Sequence, residues 1–343
     1  MSTDQLSEVL RLVEARSAIG GGFAVGGKWT TRFELESPLK FMAMVRGSAA
    51  LRTNGIAAPI ELAMGDVAVL NSRRWATLSG GHGDGLAAEF TMTEANMFLV
   101  VDGSDDDVII GGHVDVNRVG TELLIAALPP VVHVRGSGTG ASEATGGTTG
   151  ASEATGGATG ASEATGGANA AQLRGLIESL YDEVTADRIG AGFAITQHAQ
   201  LLVLAVLRAY IAQADELPAG WLRVLADERL RPAVRLMHAE PGKPWRLDEL
   251  ARAAAMSRTS FAERFREVAG VPPLTYLNRW RMLLAQRALR DGDTRVGPLA
   301  IELGYTSESA FSNAFKREVG LSPLRYRSRV RDELSGLAES VSV

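Results

Sequence analysis

"SRTSFAERFREVAGVPP" occupies residues 257–273 and "SESAFSNAFKREVGLSP" occupies residues 307–323. At an offset of fifty residues the two stretches share a leading Ser, an F-x-x-x-F pair, a basic residue, a Gly and a Pro. Ser257 and Ser307 are N-cap candidates, because a short hydroxyl side chain can accept one of the unsatisfied N–H groups of a first helical turn. Phe261 and Phe265, like Phe311 and Phe315, stand four apart and so share one helix face. Gly270 and Gly320 stop the helices, and Pro272, Pro273 and Pro323 keep them from resuming. A second short helix precedes each stretch. Leu247, Leu250, Ala251 and Ala254 line the first; Leu299, Ala300 and Leu303 line the second, where Pro298 is tolerated in the opening turn. The second turn holds one extra residue, Thr306, so the leading helices are offset by forty-nine residues and the trailing ones by fifty. Each copy reads as helix, tight turn, helix.

Between the copies, "YLNRWRMLLAQRALR" (276–290) predicts a connecting helix. Leu277, Trp280, Leu284 and Ala288 form its apolar stripe, with Arg279, Arg281, Arg287 and Arg290 around it. Its length is roughly 22 Å at 1.5 Å per residue. With the helix ends added, this approaches the ~34 Å between successive major grooves on one face of a DNA duplex. Charge points the same way. The net charge of the 343-residue chain is −5, yet residues 241–331 carry 17 Lys+Arg and 9 Asp+Glu, or +8, which leaves −13 elsewhere. A basic C-terminal third on an acidic chain suits a polyanionic partner.

The chain is long enough for two domains. A composition of 45% hydrophobic and 22% charged residues reads as soluble and globular. The absence of cysteine excludes disulfides, thiolate metal sites and a thiol redox switch, and fits a cytoplasmic location. The N-terminus is acidic and amphipathic, unlike a secretory signal. The longest apolar run, Leu201–Leu207, is too short to span a bilayer, so no membrane partner is expected.

From Thr139 to Gly167 the motif "TGASEATGG" occurs three times with a ten-residue period. It offers nothing large and apolar to bury, and so predicts a flexible tether. In front of it, "RFELE", "LKFMAMVRG", "GDVAVL" and "DVIIGGHV" read as short strands, with a hairpin signal at Asn54-Gly55. Many short strands with Gly-rich turns predict a barrel or jelly roll. Behind the tether, Leu173, Leu176, Ile177, Leu180 and Val184 form one helical stripe, and "QHAQLLVLAVLRAYIAQ" is apolar nearly all round. The expected order is a strand-rich barrel domain (1–136), the tether (137–171), a helical connector with a candidate homodimer contact (172–228), the duplicated DNA-binding domain (229–330) and a tail (331–343).

Two resemblances sharpen this. "PIELAMGDVAVLNSRRWATL" resembles the second motif of the cupin class of small β-barrels. Asn71, Arg73 and Ala76 stand where that motif has Pro, Gly and the metal-binding His, and no His occurs before His82. His82, His113, His133, His198 and His238 show no ligand spacing. His133, in a Val-His-Val strand, reads as structural. No metal, cofactor or catalytic residue is therefore expected, and the barrel reads as a binding domain, which the cupin resemblance implies to be ligand-sensing. Arg46, Arg74 and Trp75 are its candidate pocket residues, or else strand-end surface. A cupin-type metal-dependent enzyme with a helical appendage is the alternative, against which the missing histidines count.

The second resemblance covers about residues 245–327: Leu-Ala at 250–251, "MSRTSFAERFRE", "GVPPLTYLNRWRMLLA" and "LAIELGYTSESAFSNAFKREVGLSPLRYR" are similar to the AraC/XylS family of bacterial transcription regulators. Two features depart from it: Arg246 stands at a helix start where Ser or Thr is usual, and the tether is long. The likeness implies a sequence-specific regulator that binds double-stranded DNA and contacts RNA polymerase, its occupancy set by a small-molecule effector. It places base reading on Arg258, Thr259, Ala262 and Glu263 in the first copy and Glu308, Ser309, Ser312 and Asn313 in the second. The inward-facing Phe pairs leave these residues on the opposite side of each helix. By chemistry Arg258 suits guanine, Asn313 adenine and Glu263 cytosine. Arg266, Lys316, Arg317 and the capped helix starts at Ser257 and Ser307 suit phosphates.

Overall fold

The computed structural model of the protein describes residues 5–12, 16–82, 87–90, 98–101, 103–116, 125, 127–136, 159–186, 188–213 and 217–340. The chain forms two compact units. One is Glu14–Glu216; the other is Leu217–Val343 together with Met1–Val13.

The first unit is built on two sheets. The larger has the order β11 (Val131–Val134), β6 (Val67–Asn71), β3 (Leu39–Arg46), β10 (Asp107–Asp115), β1 (Arg16–Val25), β9 (Phe98–Val100). The smaller has the order β5 (Ile60–Ala63), β4 (Ser48–Thr53), β7 (Trp75–Gly80), β2 (Trp29–Glu34), β8 (Ala88–Phe90). Pairing is antiparallel except at β1–β9 and β2–β8. Phe23, Met42, Met44 and Ile109 from the larger sheet meet Trp29, Leu51 and Leu78 from the smaller in one core. Aromatic edges fill its centre, as such rings prefer. The Phe23 ring centroid lies 5.4 Å from that of Trp29 and 5.0 Å from that of Phe90.

The inner strands of the larger sheet are apolar on both faces, as strands covered on two sides must be. In β3, residues 41–45 are all buried, because Met42 and Met44 face the smaller sheet while Phe41 and Ala43 face the other way. That second face lies under helices α2 (Thr159–Thr185) and α3 (Ala191–Gln213). Leu173, Ile177 and Leu180 are the buried residues of the α2 stripe. Helix α3 packs on α2, β1 and β11. It is long and apolar enough to cross a bilayer, which the run within it, Leu201–Leu207, is not.

Three expectations need correction. The tether was expected through residue 171, but α2 begins at Thr159, inside the third repeat; residues 137–158 lie outside the described ones. The 172–228 connector is not one element. Helices α2 and α3 join the barrel, whereas residues from Leu217 onward join the second unit. Helix α1 (Gln5–Leu12), with Val9 buried, also belongs to the second unit. The Asn54-Gly55 turn does open the β4–β5 hairpin, with Gly55 left-handed at φ 80°, but the loop runs from 54 to 59.

The residues that depart from the cupin metal motif have structural work. Asn71 is buried and donates through Nδ2 to the Ile125 and Leu128 carbonyls. Arg73 donates to the Asn71 and Asn54 carbonyls, tying two turns together. Ala76 is buried between the sheets. His133 pairs with the turn residue Asp66, Nε2 to Oδ2 at 2.8 Å. Asp66 also accepts from the backbone N–H groups of Gly136 and Ala63, at 2.8 and 3.1 Å. Burial pushes its carboxyl upward, but the His133 contact and the two backbone bonds outweigh this and hold it below the ordinary carboxylate value.

A carboxyl with a depressed folded-state pKa stabilises above its unfolded-state pKa and loses that effect as pH falls through the folded value. Asp66→Asn is therefore expected to destabilise the barrel unit by about 1–3 kcal/mol at pH 7. The difference from wild type should shrink below pH ~4, as read by denaturant unfolding across pH.

Candidate nucleic-acid interface

The second unit continues with α4 (Trp221–Ala226), α5 (Arg231–Ala239), α6 (Leu247–Ala253), α7 (Arg258–Ala269), α8 (Pro273–Asp291), α9 (Val296–Glu302), α10 (Glu308–Val319) and α11 (Pro323–Ser340). The pairs α6–α7 and α9–α10 are the two copies, and the likeness between them reaches single atoms. Ser257 Oγ accepts from the Ser260 N–H, and Ser307 Oγ from the Ala310 N–H, both at 3.1 Å. The ring pairs Phe261–Phe265 and Phe311–Phe315 are both 5.7 Å apart, and all four rings are fully buried. Phe265 meets Tyr276 edge-on at 5.4 Å; Phe315 meets Tyr326 the same way at 5.5 Å. Gly270 and Gly320 close α7 and α10 in the left-handed conformation, at φ 71° and 82°, which only a residue without a Cβ adopts freely.

The copies have separate cores. Val234, Trp245, Leu250, Phe261, Phe265 and Leu277 belong to the first. Met282, Ala285, Leu289, Leu299, Phe311 and Phe315 belong to the second. Helix α8 enters both, with Leu277 in one and Met282, Ala285 and Leu289 in the other. The expected single stripe is therefore too narrow a description. The helix has 19 residues. Its length is about 28 Å at the usual helical rise. Nor do its arginines all face solvent: Arg279 and Arg287 are exposed, but Arg281 is buried. Burial lowers the Arg281 guanidinium and raises the nearby Tyr305 phenol, each partly offset by the other.

With the Phe pairs turned inward, the opposite faces of α7 and α10 are open. Arg258, Thr259, Glu263 and Arg266 are exposed and Ala262 is half-buried; Glu308, Ser309, Asn313, Lys316 and Arg317 are exposed and Ser312 is half-buried. Among the described residues Arg258, Glu263, Arg266 and Lys316 have no ion-pair partner, while Arg317 lies 3.7 Å from Glu318. Arg264, on the flank of α7, pairs instead with the largely buried Asp227 at 2.7 Å. The cap at Arg246 is compensated: the Glu249 carboxylate accepts the Arg246 N–H at 2.9 Å, the reciprocal half of a capping box.

The sequence reading missed Asp227, Gly242 and the buried role of Arg281. Asp227 carries a weak signal, since a carboxylate three residues before the N-cap Leu230 suits the Leu230 N–H it accepts. The candidate pocket residues of the barrel lie at strand ends, Arg46 closing β3 and Trp75 opening β7. Arg46 pairs with Asp105 at a strand end, Arg74 is exposed, and Trp75 lies under the Arg32 guanidinium. A groove of about 420 Å³ lies elsewhere, on the smaller sheet, lined among others by Lys28, Thr30, Ser48, Glu61, Ser79 and His82. Among the described residues no three His, Asp or Glu side chains converge as a metal set.

A two-sheet barrel and two helix-turn-helix units share one chain, and the outer helix faces of the latter are open and partly basic, the architecture of a helix-turn-helix DNA-binding protein. A helix-turn-helix domain family matches residues 250–329, and a cupin family matches residues 4–164. An AraC-like transcription regulator of Streptomyces antibioticus is 34% identical over 328 residues, 94% of this chain and 98% of that protein. One from Streptomyces lividans is 33% identical over 327 residues, 94% of this chain and 98% of that one. The HTH-type transcriptional regulator AlkR of Acinetobacter baylyi is 39% identical over 129 residues, 38% of this chain and 42% of its own length. The chain belongs to the AraC-like family of transcription regulators.

The two turns make an asymmetric prediction. Ala255 is left-handed at φ 52°, where the second copy has Gly304 at φ 81°. Ala255→Gly removes a strain of about 1 kcal/mol and should raise the thermal midpoint slightly. Gly304→Ala should lower it. A Cβ there would collide with the Gly242 carbonyl oxygen, so overpacking of roughly 1–3 kcal/mol adds to the backbone strain. Calorimetry of both variants checks the difference in sign.

Proposed function

We propose that α7 and α10 are recognition helices that enter two consecutive major grooves on one face of a promoter, held apart by α8. The observation that carries this is the pairing of two matching helices whose Phe faces are fully buried while residues 258, 259, 263, 308, 309 and 313 face solvent. Arg258 reads a guanine edge, Asn313 an adenine and Glu263 a cytosine amine, with Thr259, Ala262, Glu308, Ser309 and Ser312 completing the two reading faces. Arg266, Lys316, Arg317 and the N-termini capped by Ser257 and Ser307 hold phosphates.

We read the barrel as the sensor and the chain as a cytoplasmic regulator rather than an enzyme. A small polar effector suits the groove lined by Lys28, Glu61 and His82, because the space between the sheets is filled by Phe23, Trp29, Met44 and Leu78. Its binding shifts promoter occupancy or polymerase contact only to the extent that it favours one state over another. The exposed Phe193 and Leu201 of α3 are suited to a homodimer contact.

The test is a pair of substitutions on a site selected in vitro. Arg258→Ala should cost about 1–3 kcal/mol at one base position and relax specificity there. Lys316→Ala should weaken all sequences equally and reduce the salt slope by about one counterion. If Arg258→Ala weakens every sequence alike at fixed salt, α7 does not read bases.

A further inference from the structure

Residues 240–245 lead the chain into the first helix-turn-helix. One side chain of α8 holds this strap: Arg281 Nε donates to the Pro241 carbonyl at 2.6 Å and Nη2 to the Lys243 carbonyl at 2.9 Å. The same guanidinium lies 5.9 Å from the centre of the Tyr305 ring, beside the turn of the second copy. Arg281 is 8% exposed, so its forked donors are committed to these partners in a site with little water. Trp245, at the end of the strap, sits in the first core, and its Nε1 donates to the Glu240 carbonyl at 3.0 Å. Movement of the strap would therefore move the first copy.

Backbone closes on backbone at the same place. A Cβ on Gly242 would collide with the Glu302 carbonyl oxygen, and a Cβ on Gly304 would stand 3.0 Å from Arg281 Nη2. Each copy already grips α8 through its own core. Those two grips alone let the copies twist about the helix independently. The meeting of strap, helix and turn at Arg281 adds a direct link between the copies and closes the three elements into a triangle.

We propose that Arg281 is a positioning residue for DNA reading, which locks α7 and α10 at the mutual angle that two consecutive grooves require. The proposal rests on the two-groove reading above. Arg281 touches no base in it; its effect is preorganisation, the removal of a conformational cost that would otherwise fall on binding.

The test uses the full chain and DNA selected in vitro with the wild-type protein. Binding is measured to the intact site, to each half-site with the other scrambled, and to the intact site with one base pair inserted at its centre. Arg281→Met keeps length and apolar bulk but loses both donors. It is expected to bind the intact site about tenfold or more weakly, the effect of lost preorganisation, to bind the scrambled sites as wild type does, and to suffer less from the insertion. A second readout needs no DNA. The chain has no cysteine, so Thr259→Cys and Ser309→Cys place one spin label on each recognition helix. Pulsed electron resonance should give a narrow distance distribution in the parent and a broad one with Arg281→Met. If that variant does not fold, as judged by circular dichroism, Arg281→Lys, which keeps the charge without the fork, and Gly242→Ala, which pushes strap from turn, take its place with the same expectations.

An unchanged distance distribution, or an unchanged affinity for the intact site, overturns the proposal. So does an equal loss on intact and scrambled sites, which marks a fold-wide effect. If wild type binds scrambled and intact sites equally, the two-groove reading has failed, and the distance distribution alone then decides whether Arg281 locks the copies.

Discussion

The second unit depends on one constraint: helix α8 is shared between two cores. Leu277 belongs to the first and Met282, Ala285 and Leu289 to the second. A rod anchored at both ends carries two small helix pairs, each too small for a large core of its own, on one helix. The Phe261–Phe265 and Phe311–Phe315 pairs act through this rod. They fix which side of α7 and α10 is inward, and thereby which side is left for a partner.

The barrel applies a different logic to a related problem. Its turn residues resemble those of a metal-binding barrel, but the atoms at those positions hold backbone to backbone. Asn71 ties down the 125–128 segment, Arg73 joins two turns, and Asp66 with His133 fastens the start of β6 to β11. The metal-binding position is filled by Ala76, whose methyl packs between the sheets. Among the described residues, the groove on the smaller sheet and the exposed Phe193 and Leu201 of α3 are left open.

Much of this was legible in the sequence, because the informative signals are local. An N-cap Ser, a four-residue Phe spacing and a terminal Gly act within one helix, so the boundaries of α7 and α10 and the inward side of each could be read from a dozen residues. The strands of the barrel were legible for the same reason. Contacts between distant segments were not. Arg281 looked like one more arginine on a solvated rod, and nothing near it in sequence announces carbonyls some forty residues upstream. Gly304 reads as a local turn and nothing in the sequence singles out Gly242, although their backbones meet. The extent of the tether was misjudged because low apolar content argues against a core but does not forbid a helix: α2 starts within the third repeat, and Ala170 and Leu173 in it are buried. Arg46, Arg74 and Trp75 could not be assigned from the sequence, because Arg and Trp at strand ends suit an exposed rim as well as a cavity.

Hydroxyl-radical footprinting of the full chain on its selected site tests the central claim most directly. Two protected patches on the same face of the duplex, one helical turn of about 10 base pairs apart, are the expected result. A single patch of one half-site, or protection on opposite faces, would contradict a body that presents α7 and α10 side by side.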